Sequence, residues 1–227
     1  IEDVGADAER GTTACEGKLK EQIDANSSVG RNIFFNSGDG LEVFTWDNLP
    51  AELQAQFKKT NYLTQSGLWP SASLTAASGE SLLSYLRGEY GFEDREGNDH
   101  RLYRVRERVL GDIVGSQPVF VKKPYFSFND SGYAAYKAAK DNRTGLVLIG
   151  ANDGMLHAFN ADTGVEVWAF VPTMVMRNMW RLADANYENN HQYFVDGSIT
   201  VSDICVAACA SDAAVWKTIL VGSLKAG

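Results

Sequence analysis

A compact unit of three short strands and two tight turns lies in the C-terminal half of this 227-residue sequence. The apolar run Leu146–Ile149 leads into a turn at Asn152–Gly154, and a second strand follows at Met155–Phe159. A second turn, Asp162–Gly164, precedes a third strand, Val165–Phe170. Asn, Asp and Gly tolerate the positive φ angles that turns between twisted strands demand. The pattern predicts an antiparallel meander, the building unit of a β-propeller blade.

The sequence on either side of this meander differs in character. Residues 1–107 combine a polar lead-in over residues 1–28 with a predicted hairpin and short predicted helices, and they show no repeat. Residues 108–227 contain short strands and turns, interrupted by helices predicted at Tyr133–Lys140 and Thr173–Ala183. Further strands are predicted at Val109–Val114, Pro118–Val121, Gln192–Val195, Ile199–Ile204 and Val215–Val221.

These segments predict a mainly β fold, a partial β-propeller with α-helical insertions and a mixed α/β N-terminal segment. We divide the chain into an N-terminal approach segment, residues 1–107, and the first blades of the propeller, residues 108–227. The strands suffice for about two blades, whereas a closed propeller has about four to eight. We therefore expect the chain to be a piece of a longer protein, cut at both ends.

The composition excludes some classes of function. The chain is 44% hydrophobic and 22% charged, which is ordinary for a globular domain. Its net charge of −8 argues against a nucleic-acid-binding surface, which needs clustered Lys and Arg. No apolar run approaches the length of a membrane span.

The meander also carries a resemblance to known families. Ala158–Trp168 resembles the Ala-x-Asp-x-x-Thr-Gly-x-x-x-Trp repeat of quinoprotein-type propellers, with Asn160 where that repeat has Asp. Four blocks then occur in a characteristic order, namely Val109–Val121, Gly150–His157, Tyr193–Ser198 and Trp216–Gly222. Together they resemble the C-terminal quinoprotein-like propeller of the PilY/PilC family, which comprises type IV pilus biogenesis factors and tip adhesins.

The resemblance implies a non-enzymatic protein that promotes pilus extension and surface attachment. Such a protein would be exported to the outer membrane and pilus tip of a Gram-negative bacterium. Its partners would be minor pilins and a surface or host-cell receptor. The resemblance also implies regulation by Ca²⁺ through a loop outside this chain, with no metal or cofactor bound within it.

Two other propeller classes remain open because the blade repeat specifies an architecture and not a reaction. One is a fragment of a quinone-dependent (PQQ-type) dehydrogenase, whose site draws a stacking Trp and Ca²⁺ ligands from several blades. The other is a scaffold propeller that serves outer-membrane assembly. We interpret Trp168 as a residue that docks neighbouring sheets and not as a cofactor platform.

Few residues are candidates for catalysis or metal binding. His157, Asp153 and Ser198 could form a Ser/His/Asp constellation, but nothing in their spacing fixes the geometry, and we interpret His157 as a strand-face histidine. The loops Asn36–Gly40 and Asn152–Gly154 contain too few oxygen ligands at the right spacing for Ca²⁺. We therefore predict no catalytic, cofactor or metal residues, and we assign structural roles in the blade to Asn152, Asp153, Gly154, Thr163, Gly164 and Trp168.

Cys205 and Cys209 lie four residues apart between two predicted strands, a spacing that lets a short loop bring the two sulfurs together. The alternatives are two buried thiols or a zinc site. The resemblance favours a disulfide because it implies an exported protein. Cys15 remains without an assigned partner.

Two features bear on adhesion. Arg87–Glu89 resembles the Arg-Gly-Asp tripeptide that integrins recognise, but Glu replaces Asp, and we interpret it as a charged helix end. Tyr125, Phe126 and Phe128 could form an exposed adhesive surface, although aromatic residues at strand spacing usually lie in the core.

Overall fold

The structure, a computed structural model, describes residues 30–227, so Cys15 and the predicted lead-in lie outside the described residues. The strands within this range are β1 (Ile33–Asn36), β2 (Leu41–Val43), β3 (Val119–Val121), β4 (Leu146–Gly150), β5 (Leu156–Asn160), β6 (Glu166–Val171), β7 (Ile199–Ala207) and β8 (Val215–Gly222). The α-helices are α1 (Ala51–Phe57), α2 (Ser71–Leu74), α3 (Gly79–Arg87), α4 (Tyr133–Ala139) and α5 (Thr173–Met179). Short 3₁₀ turns lie at Thr60–Tyr62, Ser66–Leu68, Trp180–Ala183 and Tyr187–Asn189. None of the described helices is long and apolar enough to cross a membrane.

The predicted meander is confirmed. Strands β4, β5 and β6 pair antiparallel through the two predicted turns, and β3 adds to the free edge of β4. These four strands form one antiparallel sheet, the strand number of a propeller blade. Strands β7 and β8 form a separate two-stranded sheet. The described sheets do not close on themselves, so the fold is the predicted partial propeller.

The N-terminal hairpin extends the blade, a pairing that the sequence interpretation did not include. Strand β1 lies parallel to β6, with Ile33 opposite Ala169, and β2 lies antiparallel to β1 at the sheet edge. The six strands therefore run in the order β2-β1-β6-β5-β4-β3. Residues more than 130 positions apart in sequence thus share one sheet.

Two of the predicted strands are wrong. Val109–Val114 and Gln192–Val195 have no strand structure, because their polar groups bind the blade turn and not a strand partner. The backbone N–H of Asn152 donates to the carbonyl of Asp112 at 3.0 Å. Its side-chain oxygen accepts from the backbone N–H of Phe194, also at 3.0 Å. Both segments are loops that lie against the blade.

The main core lies between the helices and the six-stranded sheet. Phe35, Phe44 and Phe57 are fully buried, and their rings pack edge to face with centroids 6.0 and 5.8 Å apart. Aromatic pairs favour this geometry because the ring edge carries positive charge and the face negative charge. The helices of the approach segment therefore share one core with the blade.

Helix α3 is the best-defined helix of the approach segment. The Ser78 hydroxyl accepts from the backbone N–H of Ser81 at 3.1 Å, and the Ser81 hydroxyl caps the backbone N–H of Ser78 at 3.0 Å. Gly88 ends the helix with φ 115°, a left-handed conformation that glycine adopts without steric cost. Between these ends the helix buries Leu82, Leu83 and Leu86.

We predict that Ser78→Ala lowers the free energy of unfolding by about 1 kcal/mol, because it removes the N-cap acceptor of α3. Chemical denaturation monitored by circular dichroism measures this change. Ser71→Ala is the matched control, since Ser71 is exposed, and we expect it to change the free energy by less than about 0.5 kcal/mol. Equal effects of the two substitutions would contradict the assigned cap.

Candidate functional site

A cleft of about 1040 Å³ opens beside the Asn152–Gly154 turn, and we call it the main cleft. Tyr85, Tyr90 and Tyr187 line one part of it, together with several arginines. Asp153 lies at its base. Volumes of this order are typical of ligand sites. The main cleft is therefore the candidate functional site of the described residues.

Beneath the cleft lies a buried network of four charged side chains, which we call the ionic quartet: Arg31, Asp153, His157 and Glu166. Arg31 donates two hydrogen bonds to the Glu166 carboxylate, both at 2.7 Å. The other side of Glu166 faces His157, whose Nδ1 lies 2.8 Å from Oε1. The second ring nitrogen of His157 lies 3.1 Å from Oδ2 of Asp153. Two positive and two negative charges therefore balance within the fold.

Burial and the neighbouring charges shift the pKa values of these groups in opposite directions. Burial alone would lower the pKa of His157, but the carboxylates of Asp153 and Glu166 outweigh it and raise the pKa to about 9. Burial would raise the pKa of Glu166, but the Arg31 guanidinium and His157 hold it well below its usual range. The pKa of Asp153 is likewise lowered against burial by His157. At neutral pH His157 is thus an imidazolium that donates from both nitrogens.

The turn at the cleft base holds two loops in place. The Asn152 amide donates to the Asp112 carboxylate at 2.9 Å, and the backbone N–H of Gly111 donates to Asp153 at 3.0 Å. A Cβ atom on Gly111 would lie 2.2 Å from the backbone nitrogen of Asp153, so only glycine fits this approach. Gly154 has φ 94° and packs against Met179. This turn therefore positions the cleft wall.

The second turn of the blade, Asp162–Gly164, and the strand that follows it lie outside the main cleft. The Thr163 hydroxyl accepts from the backbone N–H of Val165 at 3.3 Å, and Gly164 has φ 71°. Trp168 is half-buried and packs against the main core. None of these three residues lines the main cleft.

The structure does not assemble the Ser/His/Asp constellation. His157 is fully buried and has carboxylates on both ring nitrogens, so it has no free nitrogen to accept a proton from a hydroxyl. Ser198 is exposed, and the ring nitrogens of His157 face Glu166 and Asp153 and not Ser198. The interpretation of His157 as an ordinary strand-face histidine is also incomplete, because the side chain belongs to a buried ionic network.

Sequence reasoning missed the roles of Arg31 and Glu166. Glu166 is 3% exposed, while its neighbours Val165 and Val167 are 39% and 37% exposed, so the charged side chain faces inward. In the pairing of β5 with β6, Glu166 lies opposite Phe159, two residues from His157, and a register shift between Ala158 and Phe159 interrupts the regular pairing. No local pattern pointed to Arg31.

The described residues contain no group of three or more His, Cys, Asp or Glu side chains arranged to hold a metal ion. The Asp153 oxygens accept from Gly111, Met155 and His157, so a cation there would displace existing donors. In the loop Asn36–Gly40, the Asn36 side chain accepts from the backbone of Gly38. These two turns do not fit a Ca²⁺ loop.

The remaining candidates lie away from the cleft base. Cys205 and Cys209 form a disulfide beside the β7–β8 turn. Arg87 is 7% exposed and donates to the carbonyls of Phe44 and Arg31, so it does not present an adhesive tripeptide. Tyr125 is 70% exposed.

We predict that the free energy of unfolding falls by on the order of 3 kcal/mol between pH 6.5 and 9. A folded-state pKa raised to about 9 contributes stability that is complete below 6.5, the unfolded value, and is lost as the pH rises through 9. Equilibrium unfolding across this range measures the slope. His157→Gln should remove the slope, and His100→Gln should retain it. A flat profile for the unsubstituted protein would contradict a charged His157.

Comparison with known proteins agrees with this architecture. The family described as the PilY1 beta-propeller domain matches residues 110–227. A "Type IV pilus biogenesis factor PilY1 homolog" from Xylella fastidiosa (strain Temecula1) is 40% identical over 192 residues, which cover 79% of this chain and 15% of that protein. "Type IV pilus biogenesis factor PilY1" from Pseudomonas aeruginosa (strain PAK) is 35% identical over 213 residues, covering 89% of this chain and 16% of that protein. No solved structure matches the chain.

The chain spans about one sixth of the length of these relatives. The family match covers more than half of the chain and coincides with the region that contains β3 to β8. The chain therefore belongs to the PilY1 family.

Proposed function

We propose that this chain is part of a non-enzymatic type IV pilus biogenesis factor that promotes pilus extension. The observation that carries the proposal is the family match over residues 110–227, together with relatives that are named as type IV pilus biogenesis factors. The chemistry of the cleft base agrees with a non-catalytic role, since His157 is held between two carboxylates. The protein would act as a rigid platform that presents loops and clefts to partners.

The setting of this role is also a proposal. An exported protein at the outer membrane and pilus tip of a Gram-negative bacterium would meet minor pilins and a surface or host-cell receptor. Ca²⁺ would regulate it through a loop outside the described residues. The disulfide between Cys205 and Cys209 supports the exported location, because disulfides persist in oxidising compartments.

We predict that deleting the gene removes surface pili and twitching motility, and that the Gly111→Val protein fails to restore them. A side chain at Gly111 collides with the backbone at Asp153 and so displaces the turn that positions the cleft wall. Quantifying sheared surface pili and measuring twitching zones test this. Gly91→Val is the matched control, since no atom lies within 4 Å of a Cβ there, and it should restore both properties.

Unchanged piliation and twitching after deletion would overturn the proposed role. If the Gly111→Val and Gly91→Val proteins restore pili equally, pilus biogenesis does not require the turn Asn152–Gly154. Quinone-dependent alcohol oxidation by the purified complete protein would instead support the dehydrogenase alternative.

We further propose that the chain contributes to attachment through an exposed aromatic ladder: Tyr125, Phe126, Phe128 and Trp216. Successive rings are stacked, with centroids 4.2, 5.1 and 5.7 Å apart. Tyr125 is 70% exposed and Phe128 is 37% exposed, contrary to the usual placement of such residues in the core. Exposed aromatic residues are enriched at recognition surfaces.

We predict that Tyr125→Ser lowers the adherence of piliated bacteria to epithelial cells several-fold while leaving surface pili unchanged. The substitution removes the outermost ring of the ladder, which is where a receptor would make contact. Counting adherent bacteria measures the effect. Tyr62→Ser is the control, because Tyr62 is 66% exposed outside the ladder. Equal adherence of both variants would refute attachment through this surface and leave the biogenesis role intact.

A further inference from the structure

A second cleft, of about 510 Å³, adjoins the main cleft. Leu68, Trp69 and Arg101 line it, and it shares Arg104, Val105 and Glu188 with the main cleft. The two clefts therefore meet at these three residues, and we call the pair of clefts the groove. Its combined size exceeds that of a typical small-molecule site, which is about 300–1000 Å³. An extended ligand suits this shape better than a compact one.

Arg104 lies at the junction of the two clefts and differs from the neighbouring arginines. Arg95 and Arg106 bind the buried Glu93, and Arg101 binds Asp94. Arg104 uses only its Nε atom, which donates to the carbonyl of Leu182 at 2.8 Å. Among residues 30–227, its two terminal nitrogens have no hydrogen-bond or ion-pair partner.

The Arg104 guanidinium is nevertheless held in place. It lies over the Tyr187 ring, 4.8 Å from the centroid, and Tyr187 is itself buried. Stacking on an aromatic face and one backbone hydrogen bond fix the plane of the group. A fixed guanidinium with both terminal nitrogens available matches the geometry of a carboxylate, which it binds through two parallel hydrogen bonds.

The backbone next to Arg104 is open to an extended partner. The N–H groups of Arg104 and Arg106 bond inward, to the Ala183 carbonyl and the Glu93 carboxylate. Between them, Val105 is 46% exposed, and neither its N–H nor its carbonyl forms a hydrogen bond within the part of the chain that the structure describes. Although residues 104–106 are not part of a strand, these unpaired groups are available for hydrogen bonds with an extended peptide, as the backbone groups of a sheet edge are.

We propose that the groove binds an extended acidic peptide segment of a partner protein. A carboxylate of the peptide pairs with the terminal nitrogens of Arg104, and the peptide backbone pairs with the N–H and carbonyl of Val105. Glu188, an exposed acid in the same groove, limits the affinity by repelling the ligand. This binding site is distinct from the aromatic ladder and does not depend on the proposed role in pili.

The test measures binding of the purified protein to a fluorescent eight-residue peptide of alternating glutamate and serine, by fluorescence anisotropy. The comparison peptide has glutamine in place of every glutamate and should bind about ten-fold more weakly, as charge-assisted hydrogen bonds are lost. Arg104→Gln should weaken binding of the glutamate peptide by a similar factor. Arg177→Gln is the control, because Arg177 is exposed and lines neither cleft, and it should leave the affinity unchanged.

The Glu188→Gln substitution should change the affinity in the opposite direction. It should strengthen binding of the glutamate peptide about two-fold, because it removes a charge that repels the ligand. Equal affinities for the two peptides, or equal affinities of the Arg104→Gln and Arg177→Gln proteins, would overturn the proposal. If the circular dichroism spectrum shows that the Arg104→Gln protein is unfolded, the Glu188→Gln protein provides the test. An unchanged affinity of the Glu188→Gln protein would then overturn the proposal. Polygalacturonate, an acidic polysaccharide, is tested as a competitor in the same assay. If it displaces the fluorescent peptide at a lower concentration of carboxylate groups than the unlabelled peptide does, the ligand is an acidic polysaccharide and the proposed peptide ligand is wrong.

Discussion

The ionic quartet fixes how the N-terminal hairpin meets the blade. Arg31 precedes β1, His157 lies on β5, Glu166 begins β6, and Asp153 belongs to the turn that leads into β5. Removing ions from water is costly, and the cost is offset only where every charge has well-placed partners. Arg31 satisfies Glu166 with two hydrogen bonds and also donates to the carbonyl of Arg87 at the end of α3. The parallel pairing of β1 with β6 therefore depends on four side chains being buried together.

The same network sets the shape of the main cleft. The Asp153 carboxylate accepts hydrogen bonds from the His157 ring and from the backbone N–H of Gly111. Its neighbour Asn152 bonds both Asp112 and the backbone of Phe194. Two loops without regular structure thus take fixed positions because their polar groups find partners in one turn. The part of the cleft wall formed by residues 109–112 is consequently held in place although it contains neither strand nor helix.

The sequence was sufficient to predict features that depend on local chemistry. The Asn-Asp-Gly and Asp-Thr-Gly turns predicted the meander, and the helix predicted at Tyr133–Lys140 corresponds to α4. Features that depend on distant partners were missed, because periodicity does not record what a strand face meets. Glu166 faces inward because it forms an ion pair with Arg31, which lies more than 130 residues earlier in the sequence. Val109–Val114 has the composition of a strand, but its hydrogen bonds go to a turn.

The second sheet is joined to the first through an inserted helix. Tyr133 on α4 is 1% exposed and donates to Asp203 of β7 at 2.8 Å, and Trp216 of β8 donates to the carbonyl of Ser131 at 2.9 Å. The other oxygen of Asp203 accepts from Thr218 of β8, so this buried carboxylate is satisfied from both sides. The segment Ser131–Ala139 between β3 and β4, which contains α4, thereby bonds to both strands of the next sheet. This helical insertion is therefore a joint between the two sheets, which explains why it interrupts the strands where one sheet must be held against the next.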